Sequence, residues 1–323
     1  MNSNKSAVEK AVSIYQKIGI LVILVVEIIV FSLMTNKFLA LNNIMLIGRQ
    51  ISFVGMSAVG MTMVLLLGEI DISVGSILAF SGCVTAKLIM EAGWAMVPAA
   101  IAAILLSMIF GVITGFFVTK LKISSLIATL AMQQIIKGCT YLLTGGIPIK
   151  IQNDNFKFLG QGFIAGVVPV PIIFMIILFV IGFIVLHKTT FGRRIYAVGG
   201  NTEASRLSGI KTDGIKIAVF VISAAAAAIA GVIMASRLGT GQPSSGSDFA
   251  MDVLTATVLG GVMLIGGKGK ILNVFIGTVI IGILTNGLVL MDVLEYWQWI
   301  VKGLVFVFAL AMSNLELIVN KDK

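Results

Sequence analysis

The sequence predicts an all-α protein, a polytopic transmembrane helical bundle of about ten spans. Three observations predict it. Of 323 residues, 58% are hydrophobic and only 11% charged, against about 25% charged in an average soluble domain. The apolar residues run in stretches near the roughly 20 residues that cross a bilayer. Lys and Arg collect between those stretches. Lipid accepts this ratio because outward-facing side chains there are apolar as well as buried ones. The net charge of +9 could suggest nucleic acid. The cations, however, sit between apolar runs rather than along one helix face, so no nucleic-acid partner is expected.

In chain order the expected spans are 18–34, 52–67, 74–90, 94–118, 125–143, 167–186, 217–236, 251–265, 271–290 and 296–313. A polar segment, 1–17, precedes them, with no cleavage-site pattern after the first apolar run. A short tail, 316–323, follows, so that 18–315 forms one transmembrane domain. With the N-terminus inside and the spans alternating, fifteen Lys and Arg fall on the inside. Five fall outside: Lys37, Arg49, Lys150, Lys157 and Arg237. That asymmetry puts both termini in the cytoplasm and the chain in the cell (inner or plasma) membrane. Cys83 and Cys139 lie inside apolar stretches and read as small buried residues rather than a disulfide.

The halves echo one another. Gln133-Gln134-Ile135-Ile136-Lys137-Gly138 resembles Gln298-Trp299-Ile300-Val301-Lys302-Gly303, 165 residues on. Five spans per half would make such a repeat inverted, as in many transporters. Chance similarity between apolar sequences is the competing explanation. Gly111-x-x-x-Gly115 permits close helix approach.

The loop 187–216 carries the densest signal. Gly199-Gly200-Asn201 reads as a turn. Asn201 or Thr202 then caps a short helix, Glu203 favours its positive end, and Gly209 ends it. A short amphipathic helix between two turns suits a groove on another protein; an ordinary linker is the plainer reading.

The run Phe191-Gly192-Arg193-Arg194 through Gly199-Gly200-Asn201-Thr202-Glu203-Ala204-Ser205-Arg206-Leu207-Ser208-Gly209 closely resembles the coupling loop of permeases in the ribose-type monosaccharide ABC importers, distant relatives of branched-chain amino-acid permeases. Gly68-Glu69-Ile70-Asp71-Ile72-Ser73-Val74-Gly75-Ser76, Val258 to Gly261 with Gly266 to Gly269, Asn286-Gly287-Leu288 and Gln298 to Gly303 also fit that family, in order. The family's Glu-Leu-Asp-Ala-Ile-Ala-Ala run appears as Ala250 to Ala256, which keeps Asp252 and lacks the Glu. Val262-Met263 stands where Thr-Ser is usual. The resemblance implies a permease, two copies per transporter, a sugar-binding protein outside and a cytoplasmic ABC ATPase. Phe191 and Ile195 would supply apolar anchoring, Arg193 and Arg194 charge, and Glu203 to Gly209 the docking helix.

Six polar residues are candidates for a translocation path: Glu69, Asp71, Gln133, Gln134, Asp252 and Asn286. Acids at membrane depth usually face protein, water or a partner. Asp71, with Ser73 nearby, could instead cap the following helix. The amides could instead bond helix to helix. Lys137 and Lys302 read as snorkelling side chains. Few ion pairs are expected inside the membrane, which disfavours coupling to protons or sodium. Gly266-Gly267-Lys268-Gly269-Lys270 lacks the upstream Gly and the following Ser or Thr of a phosphate-binding Walker sequence, so ATP hydrolysis would belong to another subunit. With one His and no recognisable nucleophile–base pair or metal-ligand cluster, no catalytic residue, metal or cofactor is expected. The reading is a permease for a small neutral sugar, not an enzyme. An ion-coupled secondary transporter, or an ABC permease for another small solute, is the alternative.

Overall fold

The computed structural model describes residues 19–321, with side chains through residue 312. The expected N-terminal segment 1–17 and residues 322 and 323 lie outside the described residues. The helices are α1 (Ile20–Met34), α2 (Leu41–Leu66), α3 (Val74–Met90), α4 (Met96–Thr119), α5 (Ser125–Thr144), α6 (Asp154–Gln161), α7 (Val170–Lys188), α8 (Thr190–Gly200), α9 (Thr202–Leu207), α10 (Thr212–Leu238), α11 (Phe249–Leu259), α12 (Ile271–Leu290) and α13 (Glu295–Lys321). By length and composition α2, α4, α5, α7, α10 and α12 can each cross a membrane; α1, α3 and α11 are shorter apolar helices. Apolar side chains also cover the outside, as with Ile176, Ile177, Val180, Ile181 and Ile184 of α7. A surface of this kind is stable against lipid, not water. The chain is a multi-pass membrane protein.

Three expected spans have clearly different limits. The second, placed at 52–67, belongs to a helix that starts at Leu41. Polar Asn42, Asn43, Arg49 and Gln50 disguised its first turns. Asn43 is buried and exchanges two side-chain hydrogen bonds with Asn286, at 3.0 and 2.9 Å. The Arg49 guanidinium lies 4.7 Å from the Phe163 ring centre. The eighth, placed at 251–265, is helical only over Phe249–Leu259. The chain then turns at Gly260-Gly261 into an irregular segment whose Val262 and Met263 are buried, so its apolar character comes from core packing rather than from helix. The last helix continues past 313 to Lys321.

Helix α10 is the axis, packed on α2, α3 and α4. Its middle is a run of small residues, Ser223 and Ala224 to Ala228 with Ala230 and Gly231, which lets neighbouring backbones approach closely. Gly111 and Gly115 of α4 lie against its backbone at Phe220 and Ile217. Helix α2 runs antiparallel to α10: Phe53 lies beside Arg237, and Gly60 beside Ser223.

Helices α3 and α11 both begin near the middle of this axis. Asp71, just before α3, bonds Ser223 at 2.8 Å. Ser223 is eleven residues into the 27-residue α10, roughly 17 Å from its start at 1.5 Å per residue. Gly75 and Gly246, close to the two helix starts, touch through their backbones. From there α3 follows α10 towards Leu238, with the Ser81 hydroxyl donating to the Ala228 carbonyl at 3.0 Å. Helix α11 runs the opposite way, and beyond it the Gly267 N–H donates to the Leu66 carbonyl at the far end of α2 (2.8 Å). Short antiparallel pairs complete the fold. β1 (Ile149–Lys150) joins β4 (Thr240–Gly241), which ties the connection after α5 to the end of α10. β2 (Phe163–Ile164) pairs with β3 (Val168–Pro169).

Candidate functional site

The densest sequence signal folds into two consecutive helices. The Thr189 hydroxyl caps α8 by accepting from the Gly192 N–H at 3.1 Å. Ile195 and Val198 are fully buried, Phe191 packs against the same core, and Arg193 and Arg194 are exposed. The apolar anchoring is therefore to the bundle itself. Gly199 and Gly200 are the last residues of α8, so the expected Gly-Gly-Asn turn is a correction: the glycine pair is helical. Glycine is needed at 199 for proximity, since an added Cβ would come 1.7 Å from the Leu66 carbonyl oxygen. The Tyr196 hydroxyl donates to the Gly269 carbonyl at 2.9 Å. Burial pushes that phenol's pKa up, which keeps it protonated as a donor. Helix α8 is thus fastened to the end of α2 and to the glycine turn at 266–269.

Helix α9 projects from that base. The Asn201 side chain caps it, accepting from the Ala204 N–H at 2.9 Å, and Glu203 pairs with Arg206 at 2.7 Å on the exposed surface. Gly209 ends it at φ +84°, and the Ile210 N–H reaches back to the Ser205 carbonyl at 3.0 Å, a closure that favours glycine. Asn201, Glu203, Ala204, Ser208 and Gly209 are exposed. Leu207 is 82% exposed; it lies within the expected docking helix, Glu203 to Gly209, but one Leu in a polar hexapeptide carries no periodicity that singles it out.

Glu69 forms an ion pair with Lys216, both largely buried. Lys216 lies in the second turn of α10, directly after the α9 segment. A pocket of about 340 Å³ at this junction is lined by Glu69, Lys122, Glu203, Arg206, Asp213 and Lys216. Asp71, 1% exposed, is sealed by neutral donors. One oxygen accepts from the Ser73 N–H (3.0 Å) and the Ser73 hydroxyl, the other from the Ser223 hydroxyl. Asp71 therefore fixes the turn into α3; it bonds Ser73, the N-cap residue itself, and no side chain caps the helix.

The profile described as "Branched-chain amino acid transport system / permease component" matches residues 43–310. The chain belongs to this permease family. It is similar to the ribose import permease protein RbsC of Bacillus subtilis (strain 168), 40% identical over 303 residues that cover 93% of this chain and 94% of the relative. The L-arabinose transport system permease protein AraH of Escherichia coli (strain K12) is 38% identical over 305 residues, 94% of this chain and 92% of the relative. The probable ABC transporter permease protein YphD of the same organism is 34% identical over 312 residues, 95% and 92%. No solved structure matches. The chain is a transport component of the ribose-type ABC permeases rather than an enzyme.

The permease does not bring its six path candidates together. Asn286 is 3% exposed and spent on Asn43. Gln134 sits on the exposed face of α5 and Gln133 is half-buried beside it; the Ser76 hydroxyl bonds the Gln133 backbone carbonyl at 2.9 Å. Asp252 faces Lys302 of α13 at 2.9 Å and lines a separate cleft between α2, α10, α11, α12 and α13. Two ion pairs join helices of the bundle, Glu69–Lys216 at the junction with α9 and Asp252–Lys302 in this cleft, and Lys302 is paired rather than snorkelling. The internal echo singled out Lys302; no local pattern joins it to an acid 50 residues away.

Proposed function

We propose that this chain is the permease subunit of an ATP-driven importer and forms the path for a small neutral sugar, ribose or a related monosaccharide. The names of its relatives, one for ribose and one for L-arabinose, support the substrate class. A separate cytoplasmic ABC ATPase supplies the energy, a binding protein outside delivers the sugar, and a second permease copy completes the passage. The observation that carries the reading is the α8–α9 arrangement. Helix α8 is fixed to the bundle through the contacts of Gly199 and Tyr196, while the capped α9 offers Leu207 outwards. A rigid base with an exposed apolar tip transmits force from a partner's groove. The docking residues are Phe191, Gly192, Arg193, Arg194, Gly199, Gly200, Asn201, Glu203, Ala204, Ser208 and Gly209, of which the buried ones hold the base.

Ten crossings, with the 11-residue α11 as the shortest member and both termini in the cytoplasm, agree with the Lys and Arg distribution. An inverted five-span repeat agrees with the order of helices. Residues 41, 74, 96 and 125 start α2 to α5, and residues 212, 249, 271 and 295 start α10 to α13, shifts of 171, 175, 175 and 170. The opposed directions of α3 and α11 support the inversion. The test is reconstitution with the ATPase and a sugar-binding protein. Uptake of a labelled monosaccharide should require ATP and survive collapse of ion gradients. Uptake that persists without ATP and stops when gradients are dissipated would make the chain an ion-coupled carrier.

A further inference from the structure

The cleft beside Asp252 has no role in the coupling just described, and its chemistry differs from the rest of the bundle. It measures about 210 Å³, the scale of one small solute. Its polar lining comes from five different helices: Gln50 of α2, Arg237 at the end of α10, Asp252 in the first turn of α11, Lys302 of α13 and Thr285 of α12. Phe53 forms part of the apolar wall, with the Arg237 guanidinium 5.4 Å from its ring centre. Three features separate this place from ordinary helix packing. Arg237 has no carboxylate partner among the described residues, and the Gln50 amide has no hydrogen-bond partner among them. Polar groups left unpaired in a partly buried cleft are costly unless something else satisfies them. The Asp252–Lys302 pair is only about four-fifths buried, at 22% and 21% side-chain exposure, so both partners keep a face towards the cleft.

We infer that this cleft is a monosaccharide subsite of the permease itself, in which Asp252 accepts from sugar hydroxyls while Lys302, Arg237 and Gln50 donate to them. A sugar offers neighbouring hydroxyls, each both donor and acceptor. The lining matches that alternation: a carboxylate accepts only, Lys and Arg donate only, and an amide does both. Asp252 and Lys302 neutralise each other, which leaves Arg237 as the one unpaired charge of the lining among the described residues, so that the uncharged ligand rests on the sugar-permease reading rather than on the charge of the cleft. The inference rests on the sugar-permease reading above and adds that selection occurs inside the membrane as well as in the binding protein.

The test uses the permease–ATPase complex in nanodiscs without binding protein, with Thr285→Cys, and separately Met234→Cys in case the first variant misfolds, in a background lacking Cys83 and Cys139. The measured quantity is the rate of modification by a charged thiosulfonate reagent. Basal ATP hydrolysis reports that each variant complex is assembled. D-ribose at about ten times its dissociation constant should slow modification roughly tenfold by mass action. Gln50→Ala and Arg237→Met should abolish that protection in complexes that still elute as the assembled permease–ATPase species. If neither cysteine is protected by D-ribose in a complex that transports D-ribose with its binding protein, the subsite is wrong and the transport reading stands. If the full complex transports no sugar, the transport reading itself has failed. Stronger protection by D-ribonate than by D-ribose would overturn the neutral-sugar assignment.

Discussion

Asp71 and Asp252 sit at corresponding places, one just before the start of α3 and one in the first turn of α11, and they are held in opposite ways. Asp71 is sealed, its two oxygens shared among the Ser73 N–H and the hydroxyls of Ser73 and Ser223. Asp252 has one strong partner, Lys302, and faces a cleft. The lesson is that an acid at membrane depth does not by itself mark a path. A ring of neutral donors from fixed positions makes a structural joint, because any displacement leaves several buried groups unsatisfied at once. A single ion pair with a free side can exchange partners, which suits a site that must bind and release.

Substitutions can break this contrast. The largest effect should come from Asp71→Ala, which orphans the Ser73 N–H and two hydroxyls; about 2–5 kcal/mol of stability should be lost, seen as collapse of the monodisperse yield and of the melting temperature in detergent. Asp71→Asn should cost less, about 1–2 kcal/mol, because one amide oxygen still accepts and the Ser223 hydroxyl can turn to accept from the amide. If Asp71→Asn keeps stability but ends transport, the joint reading is wrong and the acid belongs to the path.

At the other site, Asp252→Ala should cost about 1–3 kcal/mol by stranding the Lys302 ammonium, less than for a fully buried pair. The double change Asp252→Asn with Lys302→Met should melt closer to the parent than either single change, while sugar uptake falls in all three. A thermal double-mutant cycle measures the coupling; additive effects would mean that the pair does not interact in solution. The smallest effect belongs to the exposed Lys120–Asp213 pair. Lys120→Ala should shift stability by less than about 1 kcal/mol, and that shift should shrink further in salt.

The helical bundle was legible because lipid leaves its mark on every outward face, and each expected span overlaps a helix. Two of the misplaced limits share a cause. Hydropathy registers the character of a residue, not what surrounds it, so the Asn43–Asn286 pair hid helix, and buried Val262 and Met263 disguised a loop. Around α9 the cap Asn201 and the stop Gly209 follow from local backbone rules and were read correctly. Gly199 was not, because its requirement comes from a carbonyl 133 residues away. Lys216 and Lys302 were unreadable as partners for the same reason, since an ion pair across helices leaves no spacing in the sequence.

The central claim is that α9 carries the ATPase's motion into α8 and the bundle, and Gly209 is the place to test it. At φ +84° a β-branched residue is strained by about 1–3 kcal/mol locally, enough to tilt α9 while α8 stays fastened. Sugar-stimulated ATP hydrolysis should be measured in the reconstituted complex carrying Gly209→Val. The account predicts an inserted, assembled permease with basal hydrolysis intact and stimulation lost; stimulation and uptake at parental levels would contradict it.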